Sequence, residues 1–168
     1  MQHRRLRERL SGCTRWDASD GTATCRPVLD GLGNVDEISV PAIDMIGMTL
    51  RLFDPATDRW SLHWASTTGP RLDPPLTGTF EDGVGTFDGA DLHDGVPIVV
   101  RFVWDELTAT TARWTQSFSI DAGATWEPNW TMHFRRRARG DSDVVQAVPH
   151  HQPGQRETLA APGPAYDA

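Results

Sequence analysis

Along most of the chain, apolar and polar residues alternate with period two in short runs, and clusters of turn-forming residues separate one run from the next. Met48, Leu50 and Leu52 alternate with Thr49, Arg51 and Phe53, which predicts a strand with the first set on its apolar face. Asp54-Pro55-Ala56-Thr57-Asp58 ends that run as a hairpin turn. The returning strand sets Trp60, Leu62 and Trp64 against Arg59, Ser61 and His63. After a Gly- and Pro-rich loop at 67–75, strands at 76–80 and 84–88 flank a turn at Glu81-Asp82-Gly83. A turn at Asp91-Leu92-His93-Asp94-Gly95 leads into the clearest strand, with Val96, Ile98, Val100, Phe102 and Trp104 on one face. Its other face, Pro97, Val99, Arg101 and Val103, is mixed enough to expect partial cover by another element. Residues 112–118 place Trp114 and Phe118 opposite Arg113, Thr115 and Ser117, with Gln116 the one polar side chain on the apolar side. Asp121-Ala122-Gly123 closes the hairpin, and the last strand, 126–136, sets Trp126, Trp130, Met132 and Phe134 against Glu127, Asn129, Thr131, His133 and Arg135.

No stretch of ten or more residues carries an amphipathic helical repeat, so no helix is on hand to coat a sheet. A meander with one apolar face hides that face by closing on itself or by packing on a second sheet. The fold expected is therefore all-β: an antiparallel meander of about eight to ten strands closed into a barrel. Trp60, Trp64, Phe102, Trp104, Trp114, Phe118, Trp130 and Met132 would face its interior, and with Gln116 they are the predicted ligand-lining residues.

The barrel reading spans 1–137 of the 168 residues, one domain's worth of chain. From 138 to 168 the sequence turns to Gly, Pro and Ala with few large apolar residues, which predicts a disordered tail. His150-His151 within it is too short a pair to make a metal site. The net charge of -7 argues against a general nucleic-acid binder, which needs a basic face. No apolar run reaches the roughly 18 residues of a membrane span, and Met1-Gln2-His3-Arg4-Arg5-Leu6-Arg7 lacks the apolar core of an export signal. The expected location is cytoplasmic, away from any membrane. There Cys13 and Cys25 are expected as reduced thiols, since a turn at Asp20-Gly21 would place Cys25 opposite Trp16 and Cys13 opposite Val28. Neither belongs to a zinc-binding pattern.

Seven Trp beside one Tyr is the informative oddity of composition. So many indoles either fill a core or line an aromatic cavity. A small-molecule ligand in a Trp-lined lumen, with no cofactor, is the leading expectation. A small cyclase- or isomerase-type enzyme of secondary metabolism is the alternative, with Asp36, Glu37, Asp44 and Glu127 as candidate acid or base groups. The third reading is a haem site built on His133. Gly31 to Gly33 is not followed by a helical pattern, so it is no phosphate loop, and no nucleophile elbow is present.

Leu29-Asp30-Gly31-Leu32-Gly33-Asn34-Val35-Asp36-Glu37, then Thr49-Leu50-Arg51-Leu52-Phe53-Asp54-Pro55-Ala56-Thr57, Trp60-Ser61 and Trp64-Ala65, then Gly123, Thr125-Trp126-Glu127 and Asn129-Trp130, together form a joint pattern. With it the chain resembles, from about residue 3 to residue 137, a family of lipocalin-like bacterial proteins that is distantly similar to nitrobindin-type barrels. The resemblance implies a calycin-type barrel with a lumen and carries no reaction or catalytic residue. The family usually begins with a further strand ahead of the part matching Arg4-Arg5-Leu6, and a barrel without it would offer an open edge for a homodimer or strand exchange. His133 stands where the family pattern has an acid, and His63 where an aromatic is usual.

Overall fold

Asp-Gly dipeptides set the tightest turns of the chain. In the computed structural model, Asp82 and Gly83 adopt φ of 48° and 86°, and Asp94 and Gly95 adopt 50° and 77°. Two successive positive φ values are what a two-residue hairpin of matching twist requires, and Asp-Gly reaches them at low steric cost. The structure describes the backbone of residues 14–18 and the whole of residues 21–136. The predicted 138–168 tail and Cys13 lie outside the described residues.

The described strands are β1 (Thr14–Ala18), β2 (Gly21–Val28), β3 (Gly33–Val40), β4 (Met45–Asp54), β5 (Arg59–Ser66), β6 (Leu76–Glu81), β7 (Val84–His93), β8 (Val96–Asp105), β9 (Thr111–Ser119) and β10 (Glu127–Arg136). Among the described residues the only helical segments are two single 3-10 turns, Leu29–Gly31 and Pro41–Ile43. The nine strands β2 to β10 form an antiparallel meander, each paired with the next, curled so that alternate side chains share one interior. β1 pairs with β2, and meets β10 at Trp16↔Arg136 and Asp17↔Arg135. The β5–β6 ladder is also short, spanning Trp60↔Gly78 to Leu62↔Leu76.

The interior holds two apolar clusters. Ala23, Ile38, Val40, Met45, Ala112, Trp114, Met132 and Phe134 build one, and Trp60, Leu62, Leu76, Phe80, Phe87, Ile98 and Val100 the other. Phe102, Trp104 and Leu107 pack against both and join them. Outside, cross-strand ion pairs pin neighbouring strands. Arg101 on β8 makes two hydrogen bonds to Asp88 on β7, at 2.8 and 2.7 Å, and Arg113 on β9 does the same with Asp105 on β8.

Four local expectations need correction. Met48, Leu50 and Leu52 face out, with Met48 37% exposed, while Met45, Gly47, Thr49 and Arg51 are buried. Register decides this: Thr49↔Trp64, Arg51↔Leu62 and Phe53↔Trp60 are direct partners, and direct partners share a face. Three Trp/Leu side chains on β5 outweigh the hydropathy of β4. The first hairpin pairs Thr14 with Cys25 and Trp16 with Ala23, so Cys25 is not opposite Trp16. Residues 91–93 belong to β7 and not to a turn, because the two-residue turn at Asp94-Gly95 lets Asp91↔Ile98 and His93↔Val96 pair. Trp126 is not part of the inner row of β10. A bulge between Pro128 and Trp130 breaks the alternation, and Trp126 instead lies under the outward Arg101 guanidinium at 3.8 Å, the partial cover expected for that face of β8.

The turn before β10 is organised by Asp121. Its carboxylate accepts hydrogen bonds from the Thr125 hydroxyl at 2.6 Å, the Thr125 N–H at 2.8 Å and the Ser119 hydroxyl at 2.7 Å. These bonds, that of the Thr125 hydroxyl foremost, hold its pKa down at about 2. A carboxylate lowered in this way favours the fold above the ordinary carboxylate range, and that contribution fades as pH falls toward about 2. Thr125→Val is expected to move the Asp121 midpoint up toward the ordinary value of 3.8 in an NMR titration of the carboxyl carbon, and an unmoved midpoint would show that the turn does not depend on this bond.

Candidate functional site

The apolar side chains expected to line the interior pack into its two clusters, and they divide by exposure. Trp60, Trp114 and Met132 are buried. Trp64, Phe102, Trp104, Gln116, Phe118 and Trp130 are only half-buried. The rings meet mostly edge to face, as their quadrupoles favour: Phe102 with Trp114 at 4.8 Å, and Trp114 with Trp130 at 5.5 Å. Trp104 stacks on Phe134 at 5.4 Å, and Phe118 meets the ring of His93 at 5.2 Å. Gln116 finds its partner on β10, where its Nε2–H donates to Asn129 Oδ1 at 3.0 Å. That bond lies beside the β10 bulge, so Gln116 bonds neither an indole nor a buried group. At Gly47 a Cβ would overlap the Trp64 ring, so a glycine is what lets the indole lie flat on β4.

The interior also contains a charged group that the alternation on β4 had assigned to the outside. Arg51 is 6% exposed, and its guanidinium is held on three sides. One terminal N–H₂ donates to Asn34 Oδ1 at 2.9 Å, the other to Asp36 Oδ2 in an ion pair, and the Trp104 ring lies 5.2 Å from Cζ. Asp36 Oδ1 accepts from the Thr49 N–H at 3.0 Å, which ties β3 to β4 a second time. Asn34 is fully buried. Two donors of this network have no acceptor among the described residues, Arg51 Nε and Asn34 Nδ2. Arg51 lines an interstice with Trp60, Leu62, Phe80, Phe87 and Trp104, and the packed side chains leave it no room for a water molecule.

The candidate acids do not converge. Asp36 is the partner of Arg51, Glu37 and Asp44 are exposed on the outer face or in a turn, and Glu127 is exposed at the start of β10, where the bulge sets it opposite Phe118. A carboxyl not singled out from the sequence, Asp73, sits beside Trp64, with its N–H donating to the Trp64 carbonyl at 2.8 Å. Burial, then repulsion from Asp91, raise its pKa, against a smaller pull from Arg71. His133 is exposed on the outer face of β10, so iron bound to it would lie outside the sheet and not among the tryptophans. His63 also faces out, with Nε2 3.3 Å from Ser61 Oγ. Among the described residues no group of three His, Cys, Asp or Glu is placed to hold a metal ion, and no helix is long and apolar enough to cross a membrane. A shallow polar groove of about 500 Å³ runs between the hairpin tips at Thr57–Arg59 and Thr79–Asp82, open to solvent and without a buried donor or acceptor aimed into it.

Arg51, Asn34 and Asp36 are thus the functional candidates that hydropathy missed. Counting back from the Asp54–Asp58 turn would have found Arg51, because it sets Arg51 opposite Leu62. Removing one member of a buried pair strands the other charge. Arg51→Met is expected to lower stability by about 3 to 5 kcal/mol in denaturant unfolding, and adding Asp36→Asn to restore a large part of it. Costs of Arg51→Met and Asp36→Asn that simply add in the double variant would show that the pair carries no coupling. For Asp73 the sign is opposite to that of Asp121, because a raised carboxyl pKa means that the charged form opposes folding. Asp73→Asn is expected to stabilise the protein at neutral pH, with the gain shrinking as acid protonates the wild-type carboxyl. A gain independent of pH would point to packing instead.

Compared with known proteins, the chain matches no family model, and no curated protein matches it.

Proposed function

We propose that the curled meander closes through its short β1–β10 seam into a lipocalin-like barrel that binds a small hydrophobic or aromatic ligand among its inward tryptophans. The observation that supports this reading is the half-buried state of Trp64, Phe102, Trp104, Phe118 and Trp130. All five face inward, yet none is sealed. Trp64, Phe118 and Trp130 stand toward one end of the sheet, where β5 and β9 stop and β10 begins. Large rings left with solvent access around a polar centre are the ordinary make-up of a small-molecule site. The interior is filled as it stands, so a ligand enters by moving rings aside.

Asp73 supports a second reading, a small isomerase- or cyclase-type enzyme. Burial raises the pKa of this half-buried carboxyl, whose backbone N–H is bonded to the Trp64 carbonyl, and a carboxyl shifted in that direction is a better proton donor to a substrate at that end.

Native mass spectrometry of the protein purified from its own host tests the binding reading. A stoichiometric apolar or aromatic molecule, released on denaturation, is expected. Trp130→Ala protein is expected to retain it about 10-fold or more weakly, given roughly 1.5 to 3 kcal/mol for a buried large side chain. Protein that is always empty, and that gives no saturable signal with 1-anilinonaphthalene-8-sulfonate, would overturn it. Chemical conversion of the molecule by wild-type protein but not by Asp73→Asn would establish the enzyme.

A further inference from the structure

We infer that Arg51 is the anchoring residue of the ligand proposed above, and that the ligand is a compact aromatic molecule carrying an uncharged oxygen acceptor, such as a ketone. The inference rests on the binding reading and names the chemistry the site selects. Two of the three guanidinium nitrogens of Arg51 are committed, one to Asn34 and one to Asp36, so the plane of the group is fixed. Its Nε–H remains, buried and without an acceptor, on a side chain that lines the interior interstice. A buried donor left unpaired costs about 1 to 3 kcal/mol, and an acceptor that reaches it recovers that cost. Asn34 Nδ2 is a second buried donor in the same network with the same need.

Charge decides the class of acceptor. Asp36 already balances Arg51, so a ligand carboxylate would leave one uncompensated negative charge in the interior. A carbonyl oxygen satisfies the donor and leaves the pair neutral. The rest of the wall is Trp60, Leu62, Phe80, Phe87 and Trp104, which favours an apolar ring behind that oxygen. Because the packed interstice does not admit even a water molecule, room comes from displacing a side chain. Trp104 is the one suited to move. It covers the guanidinium at 5.2 Å, it is half-buried, and it joins the two apolar clusters. A ring arriving in its place restores the contact with the cation.

Three probes of similar size separate the outcomes: acetophenone, ethylbenzene and benzoate, titrated into the full chain and followed by ¹H–¹⁵N spectra that include the Arg51 Nε–H. Acetophenone is expected to bind about 10-fold or more tightly than ethylbenzene and to shift the Nε–H signal, which ethylbenzene leaves in place. Arg51→Lys keeps a cation for Asp36 while removing the Nε–H, and is expected to bind the two equally. If that variant does not fold, the selective shift in wild-type protein carries the test alone. Equal binding of acetophenone and ethylbenzene by wild-type protein would overturn the acceptor and leave the binding reading standing. Tightest binding of benzoate would overturn the uncharged class. Binding of none of the three would count against the binding reading itself, and the inference would fall with it.

Discussion

The Arg51 guanidinium occupies a place in the interior where an aliphatic side chain would ordinarily sit, and much of the arrangement around it follows. A buried cation is tolerable only when paired and hydrogen-bonded, so β3 has to present Asp36 and Asn34 to the same side. They reach it because Asn34↔Arg51 and Asp36↔Thr49 are direct ladder partners. A slip of one residue between β3 and β4 would turn both partners outward and strand the charge. The polar network thus penalises wrong registers more sharply than an apolar row would, since Leu or Val tolerates a shift that a buried charge does not.

Around that point the sheet is fastened unevenly. Most neighbouring strands pair over long ladders, and on β7, β8 and β9 the outer ion pairs of Arg101 and Arg113 sit across from their partners in register. These outer pairs are part-exposed and contribute little energy individually. The β5–β6 and β1–β10 ladders are short. The two apolar clusters divide elsewhere, between β4 and β5 and between β8 and β9, one lying on β2 to β4 with β9 and β10, the other on β5 to β8. Phe102, Trp104 and Leu107, which touch both, are therefore the residues through which a change in the interior would pass from one half to the other.

Much of this was legible along the chain. Trp60, Leu62 and Trp64 at alternate positions of β5, and the alternation of β8, marked the inner face of both strands, because a strand's side-chain period is two and a large ring is rarely left outside. Asp82-Gly83 and Asp94-Gly95 announced their turns through the one backbone conformation that suits them. β4 was misread because its outward row, Ile46, Met48, Leu50 and Leu52, is the more apolar of its two faces, so hydropathy points the wrong way and register settles the matter. Trp126 was misread because a bulge at one position reverses every face before it, and a bulge leaves no mark on the alternation itself.

Two segments, 29–37 and 49–57, contain Asn34, Asp36, Thr49 and Arg51. The β3–β4 ladder makes them adjacent in space. The sequence by itself determined the antiparallel all-β meander, most of its turns and most of its inward rings, because period, turn chemistry and side-chain size act locally. That an arginine, an aspartate and an asparagine, up to 17 positions apart, meet among those rings with donors to spare was decided only by the pairing of β3 with β4 and β5. Pairing is a relation between distant residues, and no window along one strand contains it.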